Sequence, residues 1–168
     1  MRASCQCGQL QVKVPGPTMA VVACHCVACQ KRSGSPFGEA ADYPHDQVKI
    51  EGETRQFSRS TNLGGTFDQF FCADCGTTVF MRGTKYPEVT GIPIGLFDDA
   101  HTKQPVRSVW EDRKHPWVEI PTAMQHFSRA RVDRSSSHLE EGRHQQSSKT
   151  NPKSAVPLTI YLTTVSLG

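Results

Sequence analysis

The sequence predicts an all-β domain of several small antiparallel sheets clipped together by metal, with at most one short helical turn. Three observations predict it. Apolar and polar residues alternate over short runs, Gly and Pro interrupt those runs every few residues, and seven cysteines gather in three tight groups. The runs lie at 10–14, 18–23, 47–50, 54–58, 66–71, 77–81, 89–96 and 117–120. Leu10, Val12 and Val14 show the period of two most plainly. The helical turn is expected at 26–33, with Gly34 as its stop. Short strands broken in this way suit a small barrel or sandwich.

A chain of 168 residues suits one domain with room for a tail. Its mean hydropathy of −0.47 and aromatic content of 8% allow only a modest core, so a metal clip would help it hold together. The composition changes after Phe127, which divides the chain into a folded body, 1–127, and a low-complexity tail, 128–168. The segment 128–154 is rich in Ser, Arg, Gln and His and has no aromatic residue, so it buries too little to offset its ordering entropy and is expected to be disordered. The apolar stretch 155–168 is expected to carry no function.

Net charge is +3, and all of the excess lies in the tail. Residues 1–127 carry 13 charges of each sign, which leaves the body without an electrostatic footprint for nucleic acid. No stretch approaches the roughly 20 apolar residues of a membrane span. The first residues show no apolar run of the signal-peptide kind, so the expected location is the cytoplasm. Thiols stay reduced there, and an odd number of cysteines argues against a closed disulfide framework.

The cysteines form the units Cys5-x-Cys7-Gly8, Cys24-His25-Cys26-x-x-Cys29 and Cys72-x-x-Cys75-Gly76. A Cys-x-x-Cys turn followed by Gly is a zinc knuckle, because the left-handed Gly lets backbone N–H groups face the sulfurs. A structural zinc needs four ligands, and seven cysteines divide as four plus three. The middle unit carries three thiols within six residues. That leaves Cys5 and Cys7 to join Cys72 and Cys75 on a second ion, for two Zn²⁺ per chain. The competing pairing, Cys26/Cys29 with Cys72/Cys75 as a zinc ribbon, spans 42 residues where ribbons usually span about 15–20. It would also strand three cysteines.

Three protein ligands leave a fourth position open, which is the pattern of a catalytic zinc. Three thiolates make the site net negative, poor at generating hydroxide but suited to receiving a thiol and keeping its sulfur electron-rich. A fourth protein ligand would close the site. His25 is the nearest candidate, followed by His45 and His115. Because His25 lies between two ligands, its ring is expected to point away. Lys31 and Arg32 follow the motif and would reach a carboxylate of a thiol substrate, or else form a solvated helix face. Asp68 and His45 qualify as proton carriers by residue type alone. Trp110, Trp117 and Phe97 are expected in the core.

The pattern Cys5-x-Cys7-Gly8, Cys24-His25-Cys26-x-x-Cys29-Gln30-Lys31-x-x-Gly34-Ser35 and Cys72-x-x-Cys75-Gly76 resembles the glutathione-dependent formaldehyde-activating enzyme family, which also includes centromere protein V. The segment 95–99 and the region of Trp117 resemble that family's closing strands. The resemblance covers about residues 3–120. It implies an Mss4-like all-β fold, a structural zinc at Cys5, Cys7, Cys72 and Cys75, and a catalytic zinc at Cys24, Cys26 and Cys29. The implied activity is that of a carbon–sulfur lyase joining glutathione to formaldehyde as S-hydroxymethylglutathione. The alternative is a non-enzymatic module with two closed zincs and a surface for partners.

Overall fold

The computed structural model describes residues 1–98, 104–119 and 125–131. The expected tail from 132 onward and Ile120 lie outside these residues. Met1–Val132 forms one compact unit, and Asp133–Gly168 is divided from it. Among the described residues, no helix is long and apolar enough to cross a membrane.

The unit is mostly β, as the alternation predicts. Its strands are β1 (Arg2–Ser4), β2 (Gln11–Lys13), β3 (Ala20–Cys24), β4 (Gly38–Pro44), β5 (Lys49–Glu51), β6 (Thr54–Ser60), β7 (Thr66–Cys72), β8 (Thr78–Gly83), β9 (Tyr86–Pro93), β10 (Arg107–Val109) and β11 (Gln125–His126). The α-helix, α1, spans Val27–Ser33. Three strands pair in the order β1-β2-β5, and eight in the order β11-β10-β3-β4-β9-β8-β7-β6. The pairing is antiparallel except for β10, which runs parallel to both β3 and β11.

Several expectations change: β1, β4, β10 and β11 lie outside the expected runs, and residues 94–96 form a 3-10 turn at the end of the run expected at 89–96. β4 was not among the expected runs, because its Ala-Ala-Asp centre has little β preference; pairing with β3 and β9 on either side makes it a strand. β10 was also missed and is held by β3 and β11. The expected strand at 117–120 is a turn over its described residues, with the Val118 N–H donating to the His115 carbonyl at 3.0 Å. Pro116 takes the second position of that turn, where its fixed φ belongs.

Register assigns each side chain of the large sheet to a face. Val21 opposes Ala41, Tyr43 opposes Thr90, and Ile92 opposes Ala41 from the other side, so these share one face. That face packs with Leu10, Val12, Val14 and Phe97 to make the core. Tyr43 and Phe97 meet with ring centres 6.1 Å apart, so Phe97 is a core residue as expected. The opposite face carries Cys24 opposite Gly38, then Asp42 opposite Gly91 and Met81. Alternation thus reserves one face for stability and leaves the other for a site.

Asp42 sits on that second face. Burial pushes its carboxyl up to about 6, against the pull of Arg107. Between the ordinary value of 3.8 and about 6 the folded chain binds more protons than the unfolded one, so this group makes stability fall as pH rises through that window. Asp42→Asn is expected to raise unfolding free energy by about 1–3 kcal/mol at pH 7.5. The gain should shrink as pH falls from 6 towards 4. Denaturant midpoints of both proteins across that range check it, and a gain independent of pH would contradict this origin.

Candidate metal centres

The three-cysteine unit is built where β3 ends and α1 begins. Cys24 is the last residue of β3, held between Gly38 of β4 and Val109 of β10. His25 follows, its backbone N–H bonded to the Val109 carbonyl at 3.0 Å. Cys26 is extended (φ −61, ψ 148) and caps α1, its Sγ accepting from the Cys29 N–H at 3.4 Å. Cys29 then lies in the first helical turn. Gly34, left-handed at φ 62, closes the helix with its N–H on the Gln30 carbonyl. The helix expected at 26–33 therefore forms, with Cys26 as its cap.

The three sulfurs lie within 4.8 Å of one another, and among the described residues no His, Asp or Glu joins them. His25 does not. Strand alternation turns it to the core side, where it is fully buried against Phe37 and its Nε2 lies 3.2 Å from Ser108 Oγ. His115 Nε2 bonds Gln30 Oε1, and His45 Nδ1 bonds Thr90 Oγ1. Gln30 also donates to the His25 carbonyl at 2.7 Å and to the Arg113 carbonyl at 3.1 Å, pinning the motif to the loop after β10. Nothing in the sequence pattern pointed to Gln30 as that pin.

The other four cysteines meet as the spacing predicts: Cys5, Cys7, Cys72 and Cys75 gather within 4.8 Å. Gly8 (φ 80) and Gly76 (φ 72) supply the left-handed turns. The Leu10 N–H donates to Cys5 Sγ at 3.2 Å, and the Gly76 N–H to the Cys72 carbonyl. Sulfurs on a tetrahedral zinc with bonds of about 2.3 Å stand about 3.8 Å apart. Cys5–Cys7 at 3.4 Å and Cys7–Cys72 at 3.6 Å lie close to that edge length.

Both donor sets fit a soft divalent cation. All seven thiols are free, and crowded thiols cannot all ionise without a cation among them. Cys26 is pulled far below the usual thiol value, first by the Cys24 thiol and then by the Cys29 thiol donating to it, while Cys24 is pushed far up by the same contacts. In the other cluster, the Thr77 hydroxyl leads in lowering Cys75 to about 5. The Gln9 backbone N–H pulls Cys7 down, but the neighbouring sulfurs, Cys5 foremost, push it up to about 12. The two groups could hold metal, and four-thiolate and three-thiolate sets are consistent with zinc.

The remaining candidates separate by face. Lys31 is exposed. Arg32 turns to the cysteines: a Cβ on Gly38 would meet Arg32 Nη2 and would lie 3.4 Å from Cys29 Cβ. Asp68 and His45 are not at the three-cysteine site. Asp68 opposes Arg82, Arg82 opposes Thr90, and Thr90 bonds His45, all on the core side of the sheet from Cys24. Trp117 is 69% exposed rather than buried, with the His115 ring centre 5.8 Å from its own, because its turn projects it outward. Trp110 is half-buried in left-handed backbone (φ 60), and its N–H bonds the Arg129 carbonyl.

Comparison with known proteins gives a consistent picture. A crystal structure of a Rhodobacter sphaeroides protein superposes with a TM-score of 0.50 at 19% identity, covering 60% of this chain and 91% of that one. That likeness concerns the fold alone. A Penicillium rubens protein named "Putative glutathione-dependent formaldehyde-activating enzyme" is 27% identical over 124 residues, 69% of this chain. The match spans 64% of that relative's length. The family model described as glutathione-dependent formaldehyde-activating enzyme matches residues 1–113, a stretch holding all seven cysteines. With both sulfur clusters and strands β1 to β10 inside the match, the chain belongs to the glutathione-dependent formaldehyde-activating enzyme family.

Proposed function

We propose that this chain is a zinc-dependent carbon–sulfur lyase acting on adducts of a glutathione-like thiol with a small carbonyl compound such as formaldehyde. The observation that carries the reading is the three-sulfur cluster without a fourth protein donor among the described residues. The family match and the name of the fungal relative supply the substrate class.

A zinc ion held by Cys24, Cys26 and Cys29 would offer a fourth coordination position where an arriving thiol loses its proton more readily. The chain's own residues prepare that position. Cys24 is fixed by two strands, Cys26 and Cys29 by the first turn of α1, so the three sulfurs are set before substrate arrives. His25, buried and turned away, leaves the fourth direction free of a protein ligand. In the synthetic direction a C–S bond forms as the S–H bond and the carbonyl π bond break, and the thiol proton ends on the carbonyl oxygen. The lyase direction reverses each change. A reduced compartment such as the cytoplasm suits both seven unpaired thiols and a thiol substrate. The second cluster, Cys5, Cys7, Cys72 and Cys75, serves as the structural zinc in this reading.

Exchange between free and hydroxymethylated glutathione, followed by NMR at equilibrium, tests the reaction. Exchange above the buffer rate, proportional to zinc-loaded protein, is expected. No acceleration with glutathione, free cysteine or other small thiols would overturn the assignment.

A further inference from the structure

Two opposite charges stand unpaired on the face of the large sheet that carries Cys24. Register places them there. Arg107 of β10 opposes Val22 of β3, and Val22 opposes Ala40 of β4. Asp42 opposes Ala20 on one side and Gly91 on the other. Ala20, Val22 and Cys24 alternate with core-facing Val21 and Ala23, so Arg107, Asp42 and Cys24 share one side of the sheet. β3 runs between the two charged residues, whose strands lie about 10 Å apart. Ala20, Val22 and Ala40 form a low floor between them. Val109 opposes Cys24, so Arg107 is only two residues along the sheet from the three-cysteine cluster, about 7 Å. Asp42 is four residues along, about 13 Å.

Neither charge serves the fold. The Met19 N–H and the Thr18 hydroxyl donate to the Asp42 carbonyl at 3.0 and 2.8 Å, which fixes its backbone. Its carboxylate makes no hydrogen bond or ion pair with the described residues, and neither does the Arg107 guanidinium. Both side chains are half-buried, and neither has an atom among the polar groups sealed from solvent without a partner. A ligand can therefore reach them. Gly91 keeps the approach to Asp42 open, since a Cβ there would lie 3.6 Å from Asp42 Oδ1 and 3.5 Å from Met81 Cε. Burial raises the Asp42 carboxyl, and the charge of Arg107 only partly offsets it. A half-buried carboxylate without a partner costs stability. A cost of this kind with no return in packing is typical of residues kept for a ligand.

We propose that Asp42 and Arg107 form a split seat for an amino-acid head on the thiol substrate, Asp42 taking its ammonium group and Arg107 its carboxylate. The inference rests on the proposed reading of the three-cysteine cluster as a thiol site. A zwitterionic head lying over the floor of β3 meets both charges at once, which they cannot do for each other across the strand. An amino acid joined to the thiol unit through its side-chain carboxyl carries that head about 10 Å from the sulfur when extended. This is the order of the spacing between the cluster and the seat. The site then selects thiols bearing a free amino-acid head over simple thiols, and neither residue that does so belongs to a cysteine motif.

The test compares glutathione with two analogues that each lack one charge of its head. A glutaryl group in place of the γ-glutamyl group removes the ammonium, and a 4-aminobutyryl group removes the carboxylate. Binding to the zinc-loaded full chain is measured by calorimetry, and turnover with formaldehyde by exchange NMR. Glutathione is expected to bind the wild type at least about tenfold more tightly than either analogue. Asp42→Asn should bring glutathione and the glutaryl analogue within about twofold of each other while still penalising the aminobutyryl analogue. Arg107→Gln should do the opposite, and Arg107→Lys should keep part of the preference for the carboxylate. Zinc content and circular dichroism establish that the variants are folded. Equal affinity of the three thiols in the wild type would overturn the seat, and so would substitutions that weaken all three alike. Head-selective binding without any turnover would uphold the seat and overturn the lyase reading. Turnover and binding indifferent to the head would do the reverse.

Discussion

Cys29→Ser is expected to lower thiol-dependent turnover by at least about 100-fold, the scale of a lost metal-ligand interaction, while the chain stays folded. Cys29 is one of only three donors that the described residues offer at its cluster, so serine leaves two thiolates where a soft cation needs three. The fold around it has other supports. The helix keeps its cap, because Cys26 Sγ accepts from the backbone N–H of residue 29 whatever side chain stands there. The core lies across the sheet and does not include Cys29. Elemental analysis should show two zincs per wild-type chain and one in the variant, with a melting temperature only modestly lowered. A variant that keeps its turnover would remove the cluster from the chemistry. A variant that unfolds would mean that the three-cysteine unit is a structural clip, which is what a non-enzymatic module requires.

The opposite outcome is expected at the other cluster. Cys75→Ala should destabilise the chain by at least about 4 kcal/mol, the order of closing a long loop between the first residues and β7. Cys75 is exposed and contributes little packing, and an alanine at an ordinary surface position changes stability by about 0.5 kcal/mol or less. A large loss would therefore point to a cation held by Cys75 together with Cys5, Cys7 and Cys72. Domains of this size are stable by about 5–15 kcal/mol, so such a loss is a large share of the total. Guanidinium unfolding with zinc measured on the same samples checks it. A midpoint unchanged from wild type would show that no structural metal depends on this residue.

Both cysteine groupings were legible without coordinates because they rest on spacing along the chain and on the coordination number of zinc. The all-β class was legible for the same kind of reason: a period of two over short runs is a local property. Strand identity was less legible where local preference is weak. Ala40, Ala41 and Asp42 become β4 only because β3 and β9 bond to it on both sides. Trp117 shows the converse, since its apolar neighbours suggested a strand while the turn at Pro116 sends the ring into solvent.

By itself the sequence determined the two sulfur groups, their division into four and three, the helix that presents Cys29, and the family. These are short-range facts, set within a few residues by backbone geometry and ligand chemistry. Only the tertiary structure decided what surrounds the donors. It sent His25 to the core and left Asp68 and His45 on the wrong side of the sheet. It also set Arg32 beside Cys29, in the space that Gly38 leaves. Which face of a strand meets a site depends on pairing register, and register arises from contacts between residues remote in sequence.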